Sequence, residues 1–369
     1  MTYLASMSTL QPALAVAAAF LLALLSTPLV IRLARRVNAV DRPDDRKVHQ
    51  TAMPRIGGCA LFLAFIIPAV FILKAPAPLS GIVLGGIIIF IVGLLDDIYQ
   101  ISPWLKLLGQ CLAAVVAMSF GVIVYFVTNP FEGIFVLGNL ALPLTFLWIV
   151  GITNAINLID GLDGLAAGIS AIAAATMGVV ALMQGEPPVF MMSMVLVAAV
   201  LGFLPYNFYP AKTFMGDSGS NFLGFVLACL AVCGMTKSTA VISLIIPIIV
   251  LGIPILDTLF AIVRRLNNRT PIFRPDKDHL HHRLMALGLS HRSTVLVIYV
   301  ASAFFGGLAI TFSHTNMSRV SLLLALVLII TVAVAEKIGL RTGTRPEPSP
   351  VPEPDVIIYR REGEEKDSL

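Results

Sequence analysis

The sequence predicts an all-α, polytopic integral membrane protein of about eleven transmembrane helices, with the N-terminus outside and the C-terminus in the cytoplasm. Three observations predict it. The 369 residues are 57% hydrophobic and only 12% charged, about half the charge of an ordinary soluble domain, and mean hydropathy is +0.91. The apolar residues recur in runs of 17 to 25, each long enough to cross roughly 30 Å of hydrocarbon. The cations are segregated between alternate loops, which sets an orientation.

The runs lie near residues 12–33, 56–74, 79–95, 105–127, 140–159, 162–183, 188–206, 218–235, 239–263, 293–313 and 319–338. The first is not a cleavable signal. No Lys or Arg precedes it, and Arg32, Arg35 and Arg36 come after it. Between the fifth and sixth runs only residues 160–163 interrupt the apolar pattern. Alternating from an outside N-terminus, 22 of the 25 Lys and Arg fall in the cytoplasm. Only Lys74, Lys237 and Arg319 fall outside. Without the C-terminal tail the ratio is still 16 to three. The charge therefore reads as a topology signal, and no nucleic-acid surface is implied.

Residues 1–340 form one membrane domain, and 341–369 read as a Pro- and Glu-rich, disordered cytoplasmic tail. The four cysteines lie within spans, which suits packing rather than a disulfide or zinc ribbon. Residues 128–139 are expected to form an outer hairpin, with Gly133 and Gly138-Asn139 as turn residues. The longest connection, 264–292, is cytoplasmic and holds four of the six histidines.

Acids are expensive inside a membrane and mark function when they recur there. Asp96, Asp97, Asp160, Asp163, Asp217 and Asp257 sit at or inside span ends, all on the cytoplasmic side. The outer side has only Glu132 and Glu186, both expected well out in loops. Asp96-Asp97 close the third span as solvated interfacial acids, or as ligands for a divalent cation or a reacting phosphate. Lys106 and Gln110 share a face of the next span. Asn154, Asn157 and Asp160 recur at spacing three, followed by Asp163. They serve interhelical hydrogen bonds, with Asp163 as a helix N-cap, or they hold the polar edge of a sugar or base. Asp217 leads into Ser218-Gly219-Ser220, as a simple N-cap or beside backbone N–H groups that meet an anion. Asn207, Lys212 and Phe214 nearby favour phosphate and base contact. Asp257 is explained by a structural ion pair or hydrogen bond.

His279-Leu280-His281-His282-Arg283 fits no closed zinc site. Donation to a diphosphate is the better reading, with a solvated loop face as the alternative. The first cytoplasmic loop carries Lys47, His49 and Arg55, which bind anionic lipid or a phosphorylated lipid head. Together one face offers carboxylates for magnesium, cations for phosphate, amides for a sugar or base and an aromatic for stacking.

At this point the motifs match a family. Arg46-Lys47-x-His49 with Pro54-Arg55-x-Gly57-Gly58, then Gly93-Leu94-x-Asp96-Asp97, then Asn154-x-x-Asn157-x-x-Asp160-Gly161-x-Asp163-Gly164, then Pro210-Ala211-Lys212-x-Phe214-Met215-Gly216-Asp217, then His279-x-His281-His282-Arg283 occur in order over most of 40–290. The chain resembles the polyprenyl-phosphate N-acetylhexosamine-1-phosphate transferases of glycosyltransferase family 4. The resemblance implies a bacterial plasma-membrane enzyme with its site facing the cytoplasm. It implies that undecaprenyl phosphate accepts a sugar phosphate from a UDP-N-acetylhexosamine, releasing UMP, with Mg²⁺ or alternatively Mn²⁺. It implies Asp217 as a metal ligand, and Asp96 and Asp97 as metal ligands or activators of the lipid phosphate. Asp160, His281 and His282 join them as catalytic groups. Asn154, Asn157, Asp163, Asn207, Lys212 and Phe214 would hold the nucleotide-sugar. Lys106, His279 and Arg283 would neutralise the diphosphate, and Lys47, His49 and Arg55 would meet the substrates from the first loop. The interrupted histidine motif resembles the N-acetylglucosamine branch, which starts teichoic acid, O-antigen or related polymers. UDP-N-acetylmuramoyl-pentapeptide is the alternative donor. Homodimerisation is left open. The competing class, a transporter, would carry its acids near the midplane and on both sides.

Overall fold

The structure, a computed structural model, describes residues 10–41, 52–74, 77–128, 134–234, 245–270 and 279–313. In chain order the helices are α1 (Leu10–Arg36), α2 (Gly58–Ile67, continued by a π turn over Pro68–Ile72), α3 (Leu79–Tyr99), α4 (Pro103–Ser119), α5 (Ala141–Ile159), α6 (Leu165–Met183), α7 (Pro187–Asn207), α8 (Gly216–Cys233), α9 (Ile245–Val250), α10 (Gly252–Asn267), α11 (Leu280–Ala286) and α12 (His291–Phe312). Two short antiparallel hairpins accompany them. One pairs β1 (Val40–Asp41) with β2 (Met53–Pro54), and the other pairs β3 (Phe126–Thr128) with β4 (Ile134–Val136).

The molecule is a polytopic helical membrane protein. Among the described residues, seven helices are long and apolar enough to cross a bilayer, and Gly58–Ile72 and Pro103–Ser119 are shorter apolar helices. Several expected boundaries move. The fourth run stops being helical at Ser119, and its distal part is a turn and irregular backbone leading into strand β3 at Phe126. Its residues are β-branched and aromatic, which suits a strand. The third run continues through Asp96 and Asp97 to Tyr99. The ninth divides at Leu251 into α9 and α10, its first residues lying outside the described ones. The break at 160–164 is present. The strands of the expected hairpin pair as β3 and β4, although Gly138-Asn139 open a 3₁₀ turn instead of forming its bend. Gly133, the eleventh run and the tail lie outside the described residues. Glu186 is buried at the N-terminus of α7 rather than out in a loop.

α8 is the central pillar. Every residue from Ser218 to Cys233 is buried, and α2, α3, α5, α6 and α7 pack around it. Lipid gives helices no hydrophobic reason to associate, so close packing depends on small residues. Gly93 of α3 shows how close. A Cβ there would lie 2.6 Å from Ser218 Cα and 2.6 Å from the Asp217 carbonyl. Gly93→Ala is expected to cost about 1–3 kcal/mol by forcing two backbones apart. Thermal melting of the purified variant reads this, and an unchanged midpoint would refute the contact. Phe222 lies edge-on to Phe62 and Phe65, while Phe62 stacks on Phe90. Those rings lock α2 and α3 onto the pillar.

Candidate active site

The pillar's N-terminus meets the C-terminal ends of α3, α5 and α7. The backbone contact at Gly93 brings Asp97 directly over the first turn of α8. Its Oδ1 accepts the Asp217 N–H at 2.7 Å, and its Oδ2 accepts the Ser218 N–H at 3.0 Å and the Ser218 hydroxyl at 2.6 Å. A helix N-terminus favours an anion, and here that anion is an aspartate of the chain itself. Gly216, at φ +70, is required at this join. A Cβ would sit 2.5 Å from Asp97 Oδ2.

Asp217 then points its side chain elsewhere. Oδ1 accepts from Asn157 Nδ2 at 3.3 Å, and the same amide donates to Ser220 Oγ at 2.8 Å. Oδ2 meets the ammonium of Lys106. Lys106 also reaches Asp96 Oδ2 at 3.2 Å. The chain arranges this with a tight reversal. Gln100 ends α3 in the left-handed region, at φ 52. Ser102 caps the next helix, and Pro103 opens α4. Lys106, one turn into α4, thus lies back against the end of α3.

One turn further along α4, Gln110 donates to Asn154 Oδ1 at 3.3 Å and to Asn221 Oδ1 at 2.9 Å. Asn154 returns a bond to Gln110 Oε1 at 2.7 Å and donates to the Val150 carbonyl at 2.8 Å. These amides clamp α4, α5 and α8 together. Asn154 therefore spends its side chain on interhelical bonds and does not line the cavity.

A cavity of about 190 Å³ opens beside Asp217, lined by Asp41, Arg55, Asn157, Asp160, Gly161, Leu162, Asp163, Asn207, Phe214, Met215 and Gly216. Its ionisable lining is four aspartates, counting Asp217, and one arginine. Arg55 pairs with Asp41 at 3.8 Å. Phe214 is held by its backbone, its N–H donating to the Pro54 carbonyl at 2.8 Å and its carbonyl accepting from Gly57 at 3.1 Å. Asn207 donates to the Thr213 carbonyl at 3.1 Å, and its buried Oδ1 has no donor among the described residues. Asp160 ends α5. Desolvation, then the charges of Asp217, Asp97 and Asp163, pushes its carboxyl up to about 8.

Asp163 is buried and braces the loop. Oδ2 accepts the Ala211 N–H at 3.0 Å, and its own N–H donates to His291 Nε2 at 3.1 Å. It does not cap α6 with its side chain. Gly164, at φ +78, occupies that position with no side-chain cap. Lys212 is exposed, with Nζ 5.9 Å from the Tyr206 ring centroid, and is not among the cavity's lining residues.

The histidine segment joins from the other side. Asp257 of α10 accepts the Leu280 N–H at 2.7 Å and lies 2.8 Å from His279 Nδ1. It thereby caps α11 and orients His279, the structural role expected of it. His281 is buried, and its ring packs on Gly161, where a Cβ would lie 2.5 Å from Nε2. Neither ring nitrogen has a hydrogen-bond partner among the described residues. His282 lies 4.2 Å from it, centroid to centroid, and Arg283 is buried. Burial first, then His282, lowers His281 from 6.5 to about 3, so it is neutral at pH 7. It is thus a polar group rather than a charge at neutral pH. The expected Lys47 and His49 lie outside the described residues.

The His281 shift has a testable sign. Its folded value lies below its ordinary one, so the unfolded chain takes up the proton first, and stability falls with pH between 6.5 and 3. His281 is expected to remove about 2 kcal/mol between pH 7 and pH 5. Asp160 works oppositely, its contribution being full below 3.8 and lost as pH rises through about 8. The comparison is therefore His281→Gln against wild type, by thermal melting at both pH values. Identical pH slopes would sink the assignment.

Among the described residues no group of three or more His, Cys, Asp or Glu is placed to hold a metal ion, but two carboxylates are hard oxygen donors of the kind a divalent cation takes. Asp96 and Asp217 already converge on one cation, the Lys106 ammonium, and offer only oxygens. Magnesium is usually held by one or two carboxylates with substrate phosphates completing the shell. Asp97 has lone pairs left but is occupied as a helix cap. Asp41, which lines the cavity, and Asn221, which with Gln110 fixes the helices beneath it, are not among the residues the sequence singles out. Asp41 opens the basic loop, and its acidity there was the available signal.

Comparison with known proteins adds an independent line. A family model described as glycosyl transferase family 4 matches residues 79–235. The probable undecaprenyl-phosphate N-acetylglucosaminyl 1-phosphate transferase of Bacillus subtilis is 48% identical over 305 residues, covering 81% of this chain and 85% of that protein. The decaprenyl-phosphate N-acetylglucosaminephosphotransferase of Mycobacterium tuberculosis is 39% identical over 329 residues, covering 79% and 80%. The undecaprenyl-phosphate alpha-N-acetylglucosaminyl 1-phosphate transferase of Escherichia coli is 29% identical over 305 residues, covering 79% and 82%.

Proposed function

The chain belongs to the polyprenyl-phosphate N-acetylglucosamine-1-phosphate transferase family, and from that premise we propose that it moves N-acetylglucosamine 1-phosphate from UDP-N-acetylglucosamine to undecaprenyl phosphate in the bacterial plasma membrane. The products are undecaprenyl-diphospho-N-acetylglucosamine and UMP, the first lipid-linked step towards a cell-surface polymer such as teichoic acid or O-antigen. The site faces the cytoplasm, where nucleotide-sugars are. The excess of Lys and Arg in alternate loops supports that orientation, and with it an outside N-terminus and eleven spans.

The observation that carries the reading is the convergence of Asp96, Lys106 and Asp217 beside an acidic cavity. A cavity lined by four aspartates and one arginine, even with Asp160 protonated, disfavours a diphosphate unless cations enter with it. Bound Mg²⁺ would supply that charge, held by Asp217 and Asp96. Asn157 fixes the Asp217 carboxylate. Asn207 Oδ1 and the Phe214 ring suit the donor and the flat face of a uracil. Arg55, Lys106 and the histidine segment offer donors to the phosphates.

In the reaction an oxygen of the lipid phosphate attacks the β-phosphorus. The new P–O bond forms as the bond from that phosphorus to the bridging oxygen breaks, and UMP leaves with the electron pair. The nucleophile is a phosphate monoester with a second pKa of about 6, ionised without help. Positioning and charge neutralisation therefore dominate, and Asp96, bound to the Lys106 ammonium, serves charge and orientation rather than proton removal. Asp96→Asn is expected to slow turnover about 10²-fold at every pH from roughly 6 to 9. Recovery as pH rises would mean that Asp96 removes a proton. The function itself is tested by UMP release in liposomes with undecaprenyl phosphate and a panel of UDP-sugars. Release with another sugar alone redirects the donor, and solute flux without UMP supports a transporter.

A further inference from the structure

We infer that Lys106 is a resident counter-ion, which closes the Asp96–Asp217 pair in the ligand-free enzyme and which a divalent cation must displace in order to bind. The inference rests on the reading of Asp217 and Asp96 as metal ligands given above. It concerns the state before substrate arrives.

Two carboxylates on different helices, α3 and α8, meet here with side chains only 12% and 20% exposed. Like charges this close repel strongly at reduced dielectric. One ammonium satisfies both, through Asp96 Oδ2 and Asp217 Oδ2. The cavity's one guanidinium, Arg55, is engaged by Asp41 and does not substitute for it. A magnesium ion held by Asp96 and Asp217 would draw on the same two carboxylates. A dication and an ammonium cannot share those oxygens without severe repulsion. The two cations are therefore alternatives at one position.

Lysine suits displacement, being a point charge on a flexible four-carbon stem. Its side chain is 23% exposed, so it has room to leave. Its helix does not move with it, because Gln110, one turn on, is clamped to Asn154 and Asn221. The displaced ammonium is left at the cavity edge, where a diphosphate can take it. Metal and nucleotide then bind cooperatively, since each relieves a cost that the other imposes.

The test is metal affinity without substrates. Wild type, Lys106→Met and Lys106→Arg are purified into nanodiscs of neutral lipid. Mg²⁺ is titrated by calorimetry and Mn²⁺ by electron paramagnetic resonance. Lys106→Met is expected to bind either ion roughly tenfold or more tightly than wild type, although its turnover falls. Lys106→Arg stays near wild type. Adding UMP tightens metal binding more in wild type than in Lys106→Met. Unchanged or weaker affinity in Lys106→Met overturns the proposal. If Lys106→Met loses its fold without metal, recovery in excess magnesium supports the proposal, and failure to recover overturns it. The transferase reading fails separately, in the UMP release of the wild-type enzyme.

Discussion

Asp217→Asn is expected to lower UMP release by about 10³-fold, roughly 4 kcal/mol of transition-state stabilisation, while the protein still folds. The fold survives because α8 does not depend on this side chain. Its N-terminal N–H groups are taken by Asp97, and its sixteen residues from Ser218 onward are buried against five helices. An asparagine occupies the same volume, and its oxygen can still accept from Asn157. What disappears is the charge shared with Asp96 around one cation. Single-turnover UMP release at saturating magnesium isolates the chemical step. A loss below tenfold would remove Asp217 from the centre of the mechanism. Weak activity restored by raising magnesium would move its role from chemistry to metal capture.

The lining of the site was readable in the sequence for one reason. An acid at a span end is costly, so Asp96, Asp97, Asp160, Asp163, Asp217 and Asp257 stood out against an apolar background. How each is used was not readable, because that depends on which helices lie side by side. Asp97 and Asp217 are separated by 120 positions, and only the Gly93 contact makes one cap the other's helix. Asp163 was compatible with a helix cap or a substrate contact, and it braces Ala211, 48 positions away. Asn154 was equally compatible with a sugar contact or an interhelical bond. Gln110, whose partners lie on other helices, decides for the bond. The helical content was legible from run length alone. The end of the helix at Ser119 and the strand from Phe126 were not, since an apolar run of β-branched residues fits either element by hydropathy.

Asp97→Ala is expected to be the second severe variant, and for a different reason from Asp217. It leaves two N–H groups and a hydroxyl at the start of α8 without their acceptor. Losing a helix cap costs about 0.5–2 kcal/mol, and each buried donor left unpaired adds about 1–3 kcal/mol. Asp97 is 4% exposed, so water does not easily repair the loss. The first turn of α8 then frays, Asp217 loses its fixed position, and turnover drops by about 10²–10³-fold. The stability measurement separates this from a metal-ligand role. A ligand in a crowded acidic site repels its neighbours when no metal is bound, so removing it would raise the melting temperature of the metal-free protein. A cap does the reverse, and Asp97→Ala should lower it by several degrees. Asp97→Asn keeps one carbonyl acceptor and should fall between wild type and Asp97→Ala. A metal-free melting temperature that rises in both variants would move Asp97 from the helix to the metal.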